Sequence, residues 1–366
     1  MGPLHGVKII EMAGIGPGQF CGMLLADLGA EVLRIERPEP EPTGFDIPEA
    51  FNLMNRGRSR LTVDLKSEEG RELVLELCAR ADALFEGFRP GVMERLGLGP
   101  GDCMARNPAL VYGRMTGWGQ NGPLAPRAGH DANYVALSGF MSLLAGANGE
   151  PLYPPLLAGD LAGGGAYLAI GLLAAVLEAS RSGVGQVVDA AIVDGAVSLL
   201  TPFIGMMAAG IWQPGRESNV LGGAAPFVGA YRTADDRYVF VSPLEQKFFI
   251  ILLDRMGIDD IDPARQYDPA CWPRIRERLT EAFAQRTRDE WVALLEGEDA
   301  CCSPVLSPAE LASHPHLRQR SAMVEVDGLE QPAPAPKFSR TPAEVRHGPA
   351  HREPREDVLE RWGVVG

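Results

Sequence analysis

This sequence lacks the marks of disulfide, metal or nucleic-acid chemistry. Its six cysteines, Cys21, Cys78, Cys103, Cys271, Cys301 and Cys302, contain no C-x-x-C, and only Cys301 and Cys302 lie close together. Neither a disulfide framework nor a zinc site follows; no metal is expected, and buried thiols in a reducing compartment are the reading. Lys and Arg number 34 against 48 Asp and Glu, a net charge of −14, with no basic run. That argues against a nucleic-acid partner but leaves room for an anionic ligand on a few well-placed arginines. The N-terminus runs straight into a strand-like segment, so no signal peptide is expected. Residues 195–212 carry no charge and reach the lower edge of a membrane span. They also hold Pro202, Gly205 and Gly210, so a buried helix joining two domains is expected and no membrane span. No internal repeat is evident.

Glycine, by contrast, is abundant, with 43 of 366 residues, beside 30 prolines. Hydrophobic residues make up 46% and charged residues 22%, an ordinary globular balance. The length exceeds the point where a single core stops growing, so two domains are expected. Ordered glycine costs backbone entropy, and the excess needs a structural reason.

The N-terminal half alternates strands and helices. A buried strand at 7–12 runs into Ala13-Gly14-Ile15-Gly16-Pro17-Gly18, then a helix over 21–28 stopped by Gly29, then a strand at 31–36. This βαβ unit predicts an open parallel sheet. Ser67 is the expected N-cap of another helix, and 83–86 and 109–114 read as further strands. Glycine-rich loops fill 116–165, helical periodicity returns at 166–177, and 185–191 is strand-like. A hairpin over 229–241 turns at Asp235-Asp236, followed by helices at 245–256, 272–285 and 288–297. A proline-rich extended crossing at 331–336 returns the chain to the first domain.

The Gly14–Gly18 segment imitates a dinucleotide-binding loop. Its spacing is one residue short and Pro17 removes an N–H donor, so a tight strand-to-helix turn is the better reading. The informative stretch lies later: Gly117-Trp118-Gly119-Gln120-Asn121-Gly122-Pro123, then Gly129-His130-Asp131-Ala132-Asn133-Tyr134, then Gly159-Asp160-Leu161-Ala162-Gly163-Gly164-Gly165. An imidazole and a separated carboxyl suit two-base proton chemistry. Imidazole is a base suited to neutral pH and can serve one face at His130, and a carboxyl held partly protonated by burial at Asp160 can serve the opposite face. An enolate formed between the two steps needs N–H donors, which the amides of Asp131 or of Asp160 and Leu161 can offer.

These motifs resemble those of the family III CoA-transferases, within them the α-methylacyl-CoA racemase branch. The resemblance runs from the opening E-x-A-G-x-G-P-G through Arg34-Ile35-Glu36-Arg37-Pro38, Val63-Asp64-Leu65-Lys66-Ser67 and Glu86-Gly87-Phe88-Arg89-Pro90-Gly91-Val92. It continues to Gln186–Gly195 and Pro243–Phe248. It implies an α/β fold: a large doubly wound, Rossmann-like domain plus a small α+β domain, in an interlocked homodimer. The large CoA-binding domain would span 1–190, completed by 325–366, with a linker helix region at 191–225, the small domain at 226–305 and a return linker at 306–324. It implies His130 and Asp160 as bases, with Glu245, from the small domain of the other chain, holding the histidine. CoA would bind through Arg37, Arg89 and Arg95, the segment Val63, Asp64, Leu65 and Lys66, the loop residues Gly87 and Phe88, and Gly129, Asp131, Ala132, Asn133 and Tyr134. Guanidinium forks suit its phosphates. Arg34, Arg56, Arg58 and Arg60 are further candidates, and Met206-Met207 offers a pliable surface for an acyl chain.

The implied reaction is interconversion of the R and S epimers of a 2-methylacyl-CoA thioester in lipid metabolism. Transfer of CoA between carboxylic acids, with Asp131 as nucleophile, is the alternative. CoA is part of the substrate, so no cofactor is expected. The C-terminal Val364-Val365-Gly366 is not an S-K-L signal, and a cytoplasmic site is expected.

Overall fold

The computed structural model describes residues 2–39, 47–144, 149–213 and 219–364. Its internal contacts divide the chain into two compact units. The first comprises Met1–Met141, Tyr153–Thr201 and Pro315–Gly366; the second comprises Ser142–Leu152 and Pro202–His314. Both ends of the sequence thus build the same unit.

In the first unit, six parallel strands form one sheet: β1 (Lys8–Met12), β2 (Glu31–Glu36), β3 (Ser59–Thr62), β4 (Ala83–Glu86), β5 (Val111–Thr116) and β6 (Val187–Ala191). Their order, β3-β2-β1-β4-β5-β6, is that of a doubly wound sheet with its switch point between β1 and β4. Ile10 pairs with Leu33 on one side and Leu84 on the other. Burial of both faces explains the nearly continuous burial along β1, β2 and β4, with the charged Glu11 and Arg34 paired within it. No strand is expected from the sequence at β3, because its four residues, Ser-Arg-Leu-Thr, present one fully buried side chain, Leu61.

The helix α1 (Pro17–Asp27) starts four residues earlier than its expected start at Cys21. Gly16 precedes it at φ +64° and Pro17 takes the first helical position, where its missing N–H costs nothing. The Gly14–Gly18 segment is therefore a tight strand-to-helix turn. Next come α2 (Glu68–Cys78), where Ser67 Oγ accepts the Gly70 N–H at 2.9 Å, then α3 (Val92–Arg95) and α4 (Pro100–Arg106).

The 116–165 stretch is not all loop. It holds α5 (Asp131–Leu137) and a π-helical segment, Leu157–Ala166, that runs directly into α6 (Tyr167–Ser182). Asp160 is thus inside a helix rather than at its cap. Glycine at 159 and 163–165 gave no apolar period to read. Those glycines serve close packing: α7 (Ile192–Ser198) crosses so tightly that a Cβ on Gly195 would overlap the Gly163 carbonyl. One on Gly165 would lie 2.6 Å from the Pro17 carbonyl of α1.

Leu157–Ser182, 26 residues long, is the one helix among the described residues long and apolar enough to cross a membrane. In the first unit its Leu168, Leu172, Ala175 and Ala179, at helical spacing, are buried in a core shared with Phe85 and Val111 of the sheet. The uncharged run 195–212, expected as one buried helix, is instead α7 and α8 (Thr201–Ala208), separated at Leu199-Leu200 just before Pro202. No residue of α8 is buried.

Buried ion pairs lock the N-terminal βαβ unit. Glu11 on β1 receives both Arg34 and Arg58. Asp27, at the end of α1, takes two hydrogen bonds from Arg56, at 3.1 and 2.6 Å. Arg56 also donates to Gln331 Oε1 and the Pro332 carbonyl. The hairpin of β10 (Met323–Val326) and β11 (Leu329–Pro332) is thereby tied to α1. The proline-rich crossing expected at 331–336 thus begins as the end of β11.

The second unit has a three-stranded antiparallel sheet of β7 (Gly229–Arg232), β8 (Tyr238–Val241) and β9 (Cys302–Pro304). The hairpin turns through Asp236 at φ +62°. Helices α9 (Gln246–Met256), α10 (Trp272–Phe283) and α11 (Arg288–Leu295) enclose a core of Phe227, Phe249, Phe283 and Trp291.

Candidate active site

His130 stands just before α5 in extended conformation, with its side chain exposed. Its own N–H donates to Asn133 Oδ1 at 3.0 Å, and Asn133 N–H returns a bond to the His130 carbonyl at 2.8 Å. Backbone position is thus fixed while the imidazole stays open to a substrate. Asn133, expected to touch CoA, has this capping role. Tyr134 is 8% exposed, its hydroxyl donates to the Gly129 carbonyl, and Trp118 meets its ring edge-on at 4.6 Å. A Cβ on Gly117 would overlap that ring, which explains this glycine by packing.

Asp131 connects the two expected bases. It is 4% exposed, and its Oδ1 accepts the Asp160 N–H at 2.6 Å. A Cβ on Gly159 would overlap the same oxygen. The Asp160 carboxyl lies over the β1–α1 turn, 2.5 Å from where a Cβ on Gly16 would sit. The first glycine-rich loop therefore makes room for a carboxyl. Burial, helped by the negative Asp131 beside it, pushes Asp160 up to about 7. Near neutral pH it is thus divided between proton donor and proton acceptor.

Of the amides expected to face an oxyanion, two are occupied. Asp160 N–H is held by Asp131, and Leu161 N–H closes a π-turn on the Leu156 carbonyl at 2.9 Å. The Asp131 N–H, in the first turn of α5, has no acceptor among the described residues. It is the donor left for a developing negative charge.

Arg37, Arg89 and Arg95 are all exposed, near the C-terminal ends of β2 and β4. Arg37 lies over the Phe88 ring at 5.4 Å. Val63 and Leu65 are buried, Asp64 and Lys66 exposed; Val63 N–H pairs with the Glu36 carbonyl at 2.8 Å and Lys66 N–H with Asp64 Oδ1 at 2.9 Å. Gly87 is exposed and Ala132 half-buried. The four further arginines are a correction. Arg34, Arg56 and Arg58 are buried in the ion pairs with Glu11 and Asp27, and Arg60 pairs with Glu36 and Glu49. They hold the fold.

Glu245 belongs to the second unit, exposed just before α9, with its carbonyl accepting the Phe248 N–H at 3.0 Å. Met206 and Met207 lie in the same unit, on α8. A cavity of about 450 Å³ in the first unit is not at this site. Gly6, Glu31 and Ser59 line it, so it opens at the N-terminal edge of the sheet, away from the loops that carry Gly16, Arg37 and Arg89.

Two features define a class: a doubly wound parallel sheet, and a histidine–carboxyl pair linked through Asp131 beside its first βα turn. The chain belongs to CoA-transferase family III, whose description matches residues 4–353. It is 41% identical to the alpha-methylacyl-CoA racemase of Mus musculus and 38% identical to that of Homo sapiens, each over 98% of this chain and 93% of the relative. A CAIB/BAIF family protein from Brucella suis has a similar solved structure, with TM-score 0.83 and 28% identity over 99% of both chains.

Proposed function

We propose that the chain is an enzyme interconverting the R and S epimers of 2-methylacyl-CoA thioesters by two-base 1,1-proton transfer through an enolate. The observation that carries this reading is the Asp160 carboxyl, pushed up to about 7, on a backbone whose N–H is held by Asp131, the residue after His130. Neutral His130 removes the α-proton from one face, protonated Asp160 returns a proton to the other, and the reverse direction exchanges these roles. The free Asp131 N–H stabilises the thioester oxygen as negative charge develops. CoA is held by Arg37, Arg89 and Arg95 as part of the substrate, and no cofactor takes part.

The working form is a cytoplasmic, interlocked homodimer in which Glu245 of one chain steadies His130 of the other. Exposed apolar side chains support a second copy: Ile170 and Leu177 on α6 and Val187 on edge strand β6 in one unit, Ile204 and Ile211 in the other. A dilution-resistant monomer in light scattering would remove this part.

The second reading is CoA transfer between carboxylic acids, with Asp131 as nucleophile; the family includes that activity in its name. Against it, Asp131 is nearly fully buried and already engaged with the Asp160 amide. One experiment separates the readings. A single epimer of a 2-methylacyl-CoA incubated in deuterated water is expected to gain α-deuterium and become a mixture of epimers without any acceptor acid. Absence of exchange, with a trapped acyl-enzyme, would select the transferase.

A further inference from the structure

The three arginines read as CoA anchors share one support. Arg37 lies over the ring of Phe88. Arg95 folds back over the β4 exit turn, where a Cβ on Gly91 would lie 3.3 Å from its Nη1, and Gly91 itself holds φ +82°. Arg89 is in the same turn, and its charge is felt at Tyr134. Arg89 and Arg95 therefore stand on the loop Gly87-Phe88-Arg89-Pro90-Gly91 and the short helix α3 that follows it, and Arg37 leans on the Phe88 of that loop.

That loop has a buried tether. Glu86, the last residue of β4, is 1% exposed, and its Oε2 accepts the Phe88 N–H at 2.6 Å. Its Oε1 accepts the Nε of Arg114 at 3.2 Å, from neighbouring strand β5. Arg114 is 8% exposed and turns its two remaining nitrogens to Glu94, at 2.8 and 3.3 Å. Glu94 stands on α3, directly before Arg95. One guanidinium thus joins the start of the loop to the helix that ends it, a planar fork used in both directions.

We propose that Arg114 is a positioning residue for CoA recognition: by bridging Glu86 and Glu94 it holds Arg37, Arg89 and Arg95 in one phosphate-binding geometry. This rests on the reading that the chain binds CoA through those arginines. Preorganisation removes the cost of ordering three long side chains when the ligand arrives. Removal of the bridge keeps the three arginines in the chain but frees α3 from β5, so their common geometry is lost.

The test is titration of the full-length protein with free CoA by calorimetry, for the wild type, Arg114→Met, Arg95→Ala and the double variant. Arg114→Met is expected to weaken CoA about tenfold. The double variant should then lose less than the product of the two single losses, because Arg114 acts in part through Arg95. A purely structural role would lower the melting temperature and leave the losses multiplicative; that result overturns the proposal. So does a Arg114→Met protein that binds CoA like the wild type. If Arg114→Met does not fold, the exposed Glu94→Ala frees α3 while keeping the Glu86–Arg114 pair. Its smaller loss of affinity should shrink in the Arg95→Ala background, and an undiminished loss there refutes the proposal. Failure of the wild type to bind CoA would instead remove the functional reading itself, and the inference with it.

Discussion

Asp27 and Asp160 are acidic residues of the same unit, and burial raises the proton affinity of both. Their partners differ. Asp27 faces Arg56, which lowers its affinity again and satisfies both oxygens. Asp160 faces another carboxylate, which adds to the effect of burial and leaves it at about 7. At Asp27 the arginine opposes burial and makes the pair a joint in the fold; at Asp160 the neighbouring acid reinforces burial and keeps two charge states within reach. Proton transfer needs the second arrangement.

The contrast predicts what each site loses. The largest effect is expected from Asp160→Ala, which should cut α-proton exchange with 2-methylacyl-CoA by about 10²–10⁴-fold while preserving the melting temperature. Near-normal exchange would place the chemistry elsewhere. Arg56→Met should do the opposite, destabilising the fold by about 3–5 kcal/mol in denaturant titrations by leaving Asp27 buried without its partner. An effect below 1 kcal/mol would show that Asp27 simply takes up a proton.

Asp160→Asn sharpens the comparison through pH. In the folded chain Asp160 keeps its proton up to about 7, while the unfolded chain releases it near 4. Stability from this group is fully present below pH 4 and declines as pH rises through 7. The substitution is therefore expected to stabilise the protein by about 1–3 kcal/mol at pH 8 and to change little at pH 4, read as unfolding free energies at the two values. Equal effects at both pH values would contradict a protonated Asp160. Smallest is the effect of Asp131→Asn: its side-chain oxygen can still accept the Asp160 N–H, but the neighbouring charge is gone. The Asp160-dependent limb of the pH–rate profile should move to lower pH by about half a unit to one unit. A limb that stays in place would show that desolvation alone sets Asp160.

Much of this was legible in the sequence. The βαβ opening pointed to a parallel sheet, because two strands joined through a helix run the same way. His130 and Asp160 stood out through the company of Gly129, Asn133 and the Gly163–Gly165 run. Other features were not legible. The strand β3 has too few buried side chains to show a period, and Leu157–Ala166 is helical through contacts of its glycines with α1 and α7. Arg34 and Arg58 read like Arg89 as letters; only the approach of Glu11 from β1 separates an internal ion pair from a ligand anchor.

The glycine excess shows the same division. By itself the sequence determined where the chain was free to turn and approach closely, since that freedom belongs to the residue. Which neighbour arrives was decided by the tertiary structure: Gly16 meets a carboxyl, Gly117 a tyrosine ring and Gly163 another helix. Proton affinity follows the same rule. Asp160 is an ordinary aspartate in the sequence, and its shift comes from lost water and from a carboxylate 29 positions earlier, both of which exist only when the chain is folded.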